Sequence, residues 1–136
     1  MHAQIPLRLM AAAIAALLAI PLVPAAPVAA AEATTTTVSS SLSLSTYGVA
    51  VTFTATVTAT TGTPTGTVQV TVDGTPLGGA ENLAGGTATS TPISTLTAGT
   101  HTVTASYTSD DPVNFTDSAG TLAGDQAVAP ASLVVT

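Results

Sequence analysis

The feature that most constrains this sequence is a period-two alternation of apolar residues and threonines. In residues 49–59, VAVTFTATVTA, apolar side chains occupy the odd-numbered positions and threonines occupy four of the even-numbered ones. Successive side chains of a β-strand point to opposite faces, whereas β-branched residues lose rotamer freedom in a helix. The segment is therefore predicted to be a strand with one buried face. Residues 67–72 and 100–108 repeat the pattern, and the latter places His101 on the same face as Tyr107.

Weaker strand patterns and turn residues divide the rest of the chain after residue 33. Asp73-Gly74 and Gly85-Gly86 are pairs typical of tight hairpin turns. Seven short strands, no helical window and about 100 residues predict an all-β fold, an antiparallel seven-stranded immunoglobulin-like β-sandwich. The weaker strands are predicted at residues 34–39, 76–83, 87–91 and 121–128. The expected core contains four aromatic residues, namely Tyr47, Phe53, Tyr107 and Phe115.

Residues 1–31 have the three-part layout of a secretory signal peptide. Arg8, the only basic residue of the chain, is followed by an uncharged apolar run over residues 9–23 and then by small residues. The alternative is a permanent membrane helix. It is disfavoured because a spanning helix needs roughly 20 apolar residues, and this run is shorter and contains proline. We therefore expect a secreted or extracellular protein that is either free or associated with the cell surface. We expect no stable membrane insertion after cleavage.

The end of this segment offers two cleavage sites. Ala31 ends a run of small residues before Glu32, and a second cut is possible before Thr34. The first cut gives the predicted organisation, with residues 1–31 removed and residues 32–128 as the domain. Residues 129–136 are interpreted as a linker, a tail or the start of a further repeat, and these alternatives stay open.

Composition excludes several classes of function. The chain has 136 residues, with one Lys or Arg, seven Asp or Glu and no Cys. The acidic balance argues against binding to nucleic acid and to anionic lipid, both of which require cationic side chains. Without Cys there is no disulfide and no thiolate nucleophile. Because the only basic residue belongs to the predicted signal peptide, we expect backbone ladders and a small apolar core, not salt bridges, to hold the domain together.

Several segments, taken in their order and spacing, resemble the group 3 bacterial Ig-like repeat. They include VTFTATV from Val51, DGTPLG from Asp73 and LTAGTHTVTASY from Leu96. The resemblance covers about residues 34–128. It implies a seven-stranded Ig-like sandwich of the kind found in bacterial surface or secreted proteins, where such repeats act as stalks, spacers or adhesive modules, often in tandem.

His101 is the only histidine after the predicted signal peptide. As a general base it would need a nucleophile motif, and as a zinc ligand it would need three or four partners, none of which the sequence supplies. In Ig-like domains a tyrosine near the start of this strand bonds back to the chain across the preceding corner. We predict that His101 plays this structural part through a ring N–H.

The densest acidic stretch carries Asp110, Asp111, Asn114 and Asp117. Calcium takes six to eight oxygen ligands, so these side chains form a candidate calcium site, although their spacing does not fit an EF-hand loop. Asp and Asn in loops more often cap turns, and this is the favoured interpretation.

These observations predict an exported, non-enzymatic module that acts as a structural spacer or an adhesive element, with no catalytic, metal-binding or cofactor-binding residue and no cofactor. The expected partners are an unidentified protein or glycan at a cell surface and further Ig-like repeats in tandem. The alternative is a module that binds a glycan or a cell-wall polymer, against which the absence of Trp argues. The many threonines and serines are explained by β propensity or by O-glycosylation, and the first needs nothing further.

Overall fold

The computed structural model describes residues 20–136. Most of the predicted signal peptide, including Arg8, lies outside the described residues. Residues 20–30 are exposed and have no regular secondary structure, and Glu32 makes the first β-bridge. No helix with the length and hydropathy needed to cross a bilayer occurs in residues 20–136.

All the regular secondary structure of the described residues is β-strand, as the abundance of Val and Thr predicts. The predicted all-β class is therefore confirmed. The strands are β1 (Thr35–Ser40), β2 (Leu44–Thr46), β3 (Phe53–Thr58), β4 (Gly66–Val72), β5 (Thr75–Pro76), β6 (Glu81–Asn82), β7 (Thr87–Thr89), β8 (Gly99–His101), β9 (Val103–Ser109), β10 (Ser118–Thr121) and β11 (Gln126–Ala129).

The strands form a sandwich of the immunoglobulin type. One sheet has the order β1-β3-β7, and the other has the order β10-β9-β4-β5, with β6 also paired to β4. A third group, β2-β11-β8, extends the second sheet, because only Thr102 separates β8 from β9 and residues 122–125 separate β10 from β11. The named strands pair antiparallel except β2, which runs parallel to β11. β5 and β6, of two residues each, replace the single strand predicted at residues 76–83.

The core follows the predicted alternation. Val51, Phe53, Ala55 and Val57 are all nearly inaccessible to solvent, with Phe53 at 0% exposure, whereas the threonines between them are at least partly exposed. Burying one such large apolar side chain contributes about 1.5–3 kcal/mol. The predicted inward face is confirmed for these four residues, whereas Val49, which was predicted on the same face, is 47% exposed because it precedes the strand. The other sheet completes the core with Val68, Val70, Val72, Val103, Ala105 and Tyr107.

Two of the four aromatic residues expected in the core lie elsewhere. Tyr47 is 51% exposed, because it lies in the turn after β2, where its backbone N–H donates to the Ala129 carbonyl. Phe115 is only partly buried, in the loop before β10, and its ring lies so close to Gly62 that a Cβ there would be 3.1 Å away. The core prediction was wrong for Tyr47 and partly right for Phe115. Alternation predicts burial within strands and gives no such guide in turns.

Two further predicted strands are interrupted. The strand at residues 100–108 breaks at Thr102, whose N–H donates to Asp73 Oδ1 at 2.9 Å while its carbonyl accepts the Asp73 N–H at 2.8 Å. The strand predicted at residues 121–128 breaks at residues 122–125. Because the two breaks lie opposite each other, the arms of one long β-hairpin stay paired on both sides of them. Next to the hairpin loop β9 pairs with β10, and beyond the breaks β8 pairs with β11.

The sheet extension buries polar side chains. Gln126 is 0% exposed; its Oε1 accepts the Ser40 hydroxyl at 2.5 Å and its Nε2 donates to the Ala127 carbonyl at 3.0 Å. The same Nε2 lies 3.4 Å from the Ser45 hydroxyl, and Gln126 pairs across the strands with His101. We call this group of Ser40, Ser45, His101 and Gln126 the polar junction. Within residues 20–136, no buried side-chain polar atom lacks a hydrogen-bond partner.

Strand direction places the two ends of the domain at opposite poles. Glu32 lies against residues 110–116, which we call the N-terminal pole. Ala129, at the end of β11, lies with residues 94–99 at the C-terminal pole. The chain from Gly99 to Ser109 runs from one pole to the other, with the single break at Thr102. At about 3.3 Å per residue the poles are about 30 Å apart.

Candidate functional site

His101 is the residue whose chemistry most needs explanation. It ends β8, is 8% exposed, and presents both ring nitrogens to oxygen atoms. Nδ1 lies 2.7 Å from Asp73 Oδ2, and Nε2 lies 2.8 Å from the Thr97 carbonyl oxygen. The bond to Thr97 spans the corner that precedes the strand, so the predicted back-bond from the ring is confirmed. The bond to Asp73 is an additional contact that the strand pattern does not predict.

The hydrogen bonds of His101 change its acid–base behaviour. A neutral imidazole has one N–H and one acceptor nitrogen, so only the protonated ring can donate to both oxygens. The bond to Asp73, and after it the bond to the Thr97 carbonyl, raises the pKa of His101. The pKa of Asp73 is lowered, first by its bond from His101 and then by the Thr102 N–H. When protonated, His101 forms an ion pair with Asp73, which corrects the expectation that no salt bridge supports this fold.

The turn after β4 brings Asp73 to this position. Asp73 and Gly74 both have positive φ, 49° and 78°, as a two-residue hairpin turn of type I′ requires. The turn keeps the Asp73 side chain 54% exposed, next to the start of the neighbouring β9. An Asp in a tight turn beside the strand that carries a buried His is the signal that could have predicted the pair.

The pair has little capacity for catalysis. Each ring nitrogen of His101 faces an oxygen atom of its own chain, so neither nitrogen is open to a metal ion or a substrate proton. A cavity of about 280 Å³ lies beside it, lined in equal part by polar residues and by apolar residues such as Leu77, Ile93 and Leu96. Its volume is at the lower end of the roughly 300–1,000 Å³ of typical small-molecule sites. The arrangement supports a structural role for the histidine.

The acidic loop uses its side chains within the fold. Asp110 Oδ1 accepts the Thr65 hydroxyl at 2.5 Å, and Asp117 Oδ1 accepts the Ser109 N–H at 2.8 Å. In the same loop the Asp111 carboxylate and backbone carbonyl each accept a bond from Asn114, whose side-chain amide lies 2.7 Å from Oδ2. These bonds are those of a capped turn. In residues 20–136 no group of three or more His, Cys, Asp or Glu side chains could hold a metal ion.

A second buried polar contact joins the core to the N-terminal pole. Tyr107 is 2% exposed, and its hydroxyl donates to the Thr65 carbonyl at 2.6 Å. The alternation predicts the burial of this ring but not the partner of its hydroxyl, because Thr65 is distant in sequence and lies in a loop.

Comparison with known proteins gives one match. A family model described as the bacterial Ig-like domain (group 3) matches residues 34–128, which contain β1 to β10 and most of β11. No curated protein and no solved structure matches the chain. The resemblance drawn from the sequence segments is confirmed over the residues for which it was predicted.

Proposed function

This chain belongs to the group 3 bacterial Ig-like domain family, and from that premise we propose that it is an exported structural module that acts as a spacer or adhesive element at the bacterial cell surface or outside the cell. Members of the family are generally non-catalytic and often extracellular or surface proteins. The family therefore suggests a structural or adhesive module, and the specific role and the export are our proposal.

The observation that carries the spacer role is the position of the two ends. The domain begins at Glu32 at one pole and its last strand ends at Ala129 at the other, about 30 Å away along the strands. A domain threaded in this way adds its full length to any chain that continues from it. A domain with both ends at one pole would add little length.

The interior supports the same proposal. The buried side chains either fill an apolar core or bond to one another, and His101 and the acidic loop make their bonds within the fold. These arrangements favour rigidity over catalysis, because His101, Asp73 and the acidic loop already bond to groups of their own chain.

The spacer role is tested by joining two copies of residues 32–129 end to end and measuring their maximum dimension by small-angle X-ray scattering. We expect it to increase over that of one copy by about 30 Å, the length between the poles. An increase below about half of that value would mean that the copies fold back on each other, and would contradict the spacer role.

The competing function is recognition of a glycan or cell-wall polymer. It is tested by incubating the exported protein with isolated bacterial cell walls and with a glycan array. The spacer role predicts no saturable retention. Saturable binding that a soluble fragment of the same polymer displaces would favour the binding module instead.

A further inference from the structure

We propose that Glu32 closes the N-terminal pole of the fold as a clamp, and that signal-peptide cleavage falls between Ala31 and Glu32, the cut that keeps the bonds of Glu32 in the exported domain. The proposal rests on the export included in the proposed function. It chooses between the two cleavage sites that the sequence leaves open, and it gives the first residue of the exported chain a structural task.

The backbone of Glu32 is paired on both sides of the residue. Its N–H donates to the Asn114 carbonyl at 2.8 Å, and its carbonyl accepts the Thr116 N–H at 2.9 Å. Together these bonds make a parallel bridge between Glu32 and Phe115. Glu32 is thus the point at which the chain joins the domain, three residues before β1 begins at Thr35.

The side chain of Glu32 reaches a different loop. Its Oε1 accepts the Thr61 N–H at 2.6 Å, and its Oε2 accepts the Thr61 hydroxyl at 2.5 Å. The bonds from Thr61 also lower the pKa of this carboxyl, as expected for a carboxylate that accepts two donors. Glu32 therefore bonds to both the loop between β3 and β4 and the loop between β9 and β10, and adds the incoming chain to the contact that Thr65 and Asp110 already make between these loops.

The change from exposed chain to paired chain coincides with one of the two predicted cuts. Residues 20–30 are exposed, Ala31 and Glu32 are partly buried, and the pairing starts at Glu32. A cut before Thr34 would remove all four bonds of Glu32 and leave only those that Thr34 makes to Thr116 and Ser118. A cut before Glu32 keeps the clamp complete.

Cleavage also changes the charge at this point. Hydrolysis of the Ala31–Glu32 peptide bond by a signal peptidase consumes one water, leaving a carboxylate on Ala31 and an ammonium group on Glu32. The ammonium still donates to the Asn114 carbonyl, in a loop that carries Asp110, Asp111 and Asp117. No Lys or Arg follows Arg8, so the new ammonium group places a positive charge beside this acidic loop that no side chain of the exported chain supplies there.

The position of the cut is tested on the full chain expressed in a secreting bacterial host. The intact mass and N-terminal sequence of the protein in the medium are determined, and we expect the chain to begin at Glu32. A chain that begins at Thr34 would overturn this inference and leave export intact. An uncleaved chain retained in the cells would overturn the export on which the inference rests.

The clamp is tested by melting the exported variants. A precursor lacking Glu32 and Ala33 should yield a domain whose Tm is lower by about 4 °C or more, and Thr61→Val, which leaves the cleavage sequence unchanged, should show a smaller decrease. Thr95→Val is the matched control, since Thr95 is an exposed threonine at the opposite pole and makes no side-chain hydrogen bond in residues 20–136. If Thr61→Val has the same Tm as the wild type and Thr95→Val, the proposal that Glu32 acts as a clamp is wrong.

Discussion

The two regions that hold this domain together, the apolar core and the polar junction, are built in different ways. The core lies between β3, β4 and β9 and consists of side chains without polar atoms, apart from the Tyr107 hydroxyl and its single partner. The polar junction lies where β2, β8 and β11 extend the second sheet, and buries a glutamine, a histidine and a serine.

The two regions differ in whether their interactions need an oriented partner. Apolar burial stabilises in proportion to area and needs no particular partner, whereas a buried polar group is stabilising only when its hydrogen bonds are made. Truncation in the core therefore costs transfer free energy and leaves a cavity. Loss of one polar group in the junction leaves its partners buried and unpaired. The following substitutions test this contrast, from the largest expected effect to the smallest.

Phe53→Ala should be the most damaging change. Removal of a fully buried aromatic ring costs about 3–5 kcal/mol, which approaches the whole stability of a small domain. The measurement is urea unfolding of the exported protein. Tyr47→Ala is the control, and because Tyr47 is half-exposed we expect a loss near 0.5 kcal/mol. Similar losses of unfolding free energy in the two variants would contradict the placement of Phe53 inside the core and of Tyr47 outside it.

Gln126→Met should lower the free energy of unfolding by about 1–3 kcal/mol, although the new side chain has a similar length and is more apolar. The Ser40 hydroxyl and the Ala127 carbonyl lose their buried partner. Gln69→Met, at a partly exposed site on β4, is the matched control and should cost less than about 1 kcal/mol. If Gln126→Met is neutral or stabilising in the same unfolding experiment, the junction is held by shape and not by hydrogen bonds.

Tyr107→Phe should cost about 0.5–1.5 kcal/mol. It removes the hydroxyl that donates to the Thr65 carbonyl and leaves the ring in the core. Tyr47→Phe removes an exposed hydroxyl and should leave the free energy of unfolding unchanged. An equal effect of the two substitutions would show that the bond to Thr65 contributes nothing measurable.

The smallest expected effect is a pH dependence located in the polar junction. The pKa of His101 is raised in the folded protein, so the folded state binds this proton more tightly than the unfolded chain does. The resulting stabilisation is complete below the ordinary His pKa of about 6.5 and is lost as pH rises through the raised value. The Tm should therefore fall over this window, and NMR titration of the ring should show the raised pKa.

His101→Phe should remove this pH dependence and lower the Tm at acidic pH, because the Asp73 carboxylate and the Thr97 carbonyl lose their donor. Asp73→Asn should move the pKa of His101 back toward its ordinary value. At the acidic end, the lowered pKa of Asp73 predicts a further loss of stability as pH falls through that value. An unchanged Tm slope in His101→Phe would assign the pH dependence to another group.

Much of the fold could be predicted because it depends on local pattern. Alternation located the inward faces of β3, β4 and β9, and the Asp73-Gly74 and Gly85-Gly86 pairs located two turns whose glycines have positive φ. The breaks at Thr102 and at residues 122–125 could not be predicted in the same way. Each depends on a partner on another strand, and the period-two pattern continues through Thr102 without a signal.

The candidate site divides in the same manner. The sequence indicated that His101 faces inward and bonds back across its corner, because both properties follow from its own strand. It gave no indication that Asp73 is the second partner, that Gln126 is buried or that Glu32 reaches Thr61, since these contacts join residues 28 or more positions apart in the chain.

The sequence by itself determined the β class, the family, the apolar core and the lack of Lys and Arg after residue 8. Only the tertiary structure decided which polar groups are buried together, where the hairpin breaks and which poles the two ends occupy. The physical reason is that periodicity reports on which face of a strand avoids water. A hydrogen bond between distant residues is set by strand register and loop path, which become definite only when the sheets pack.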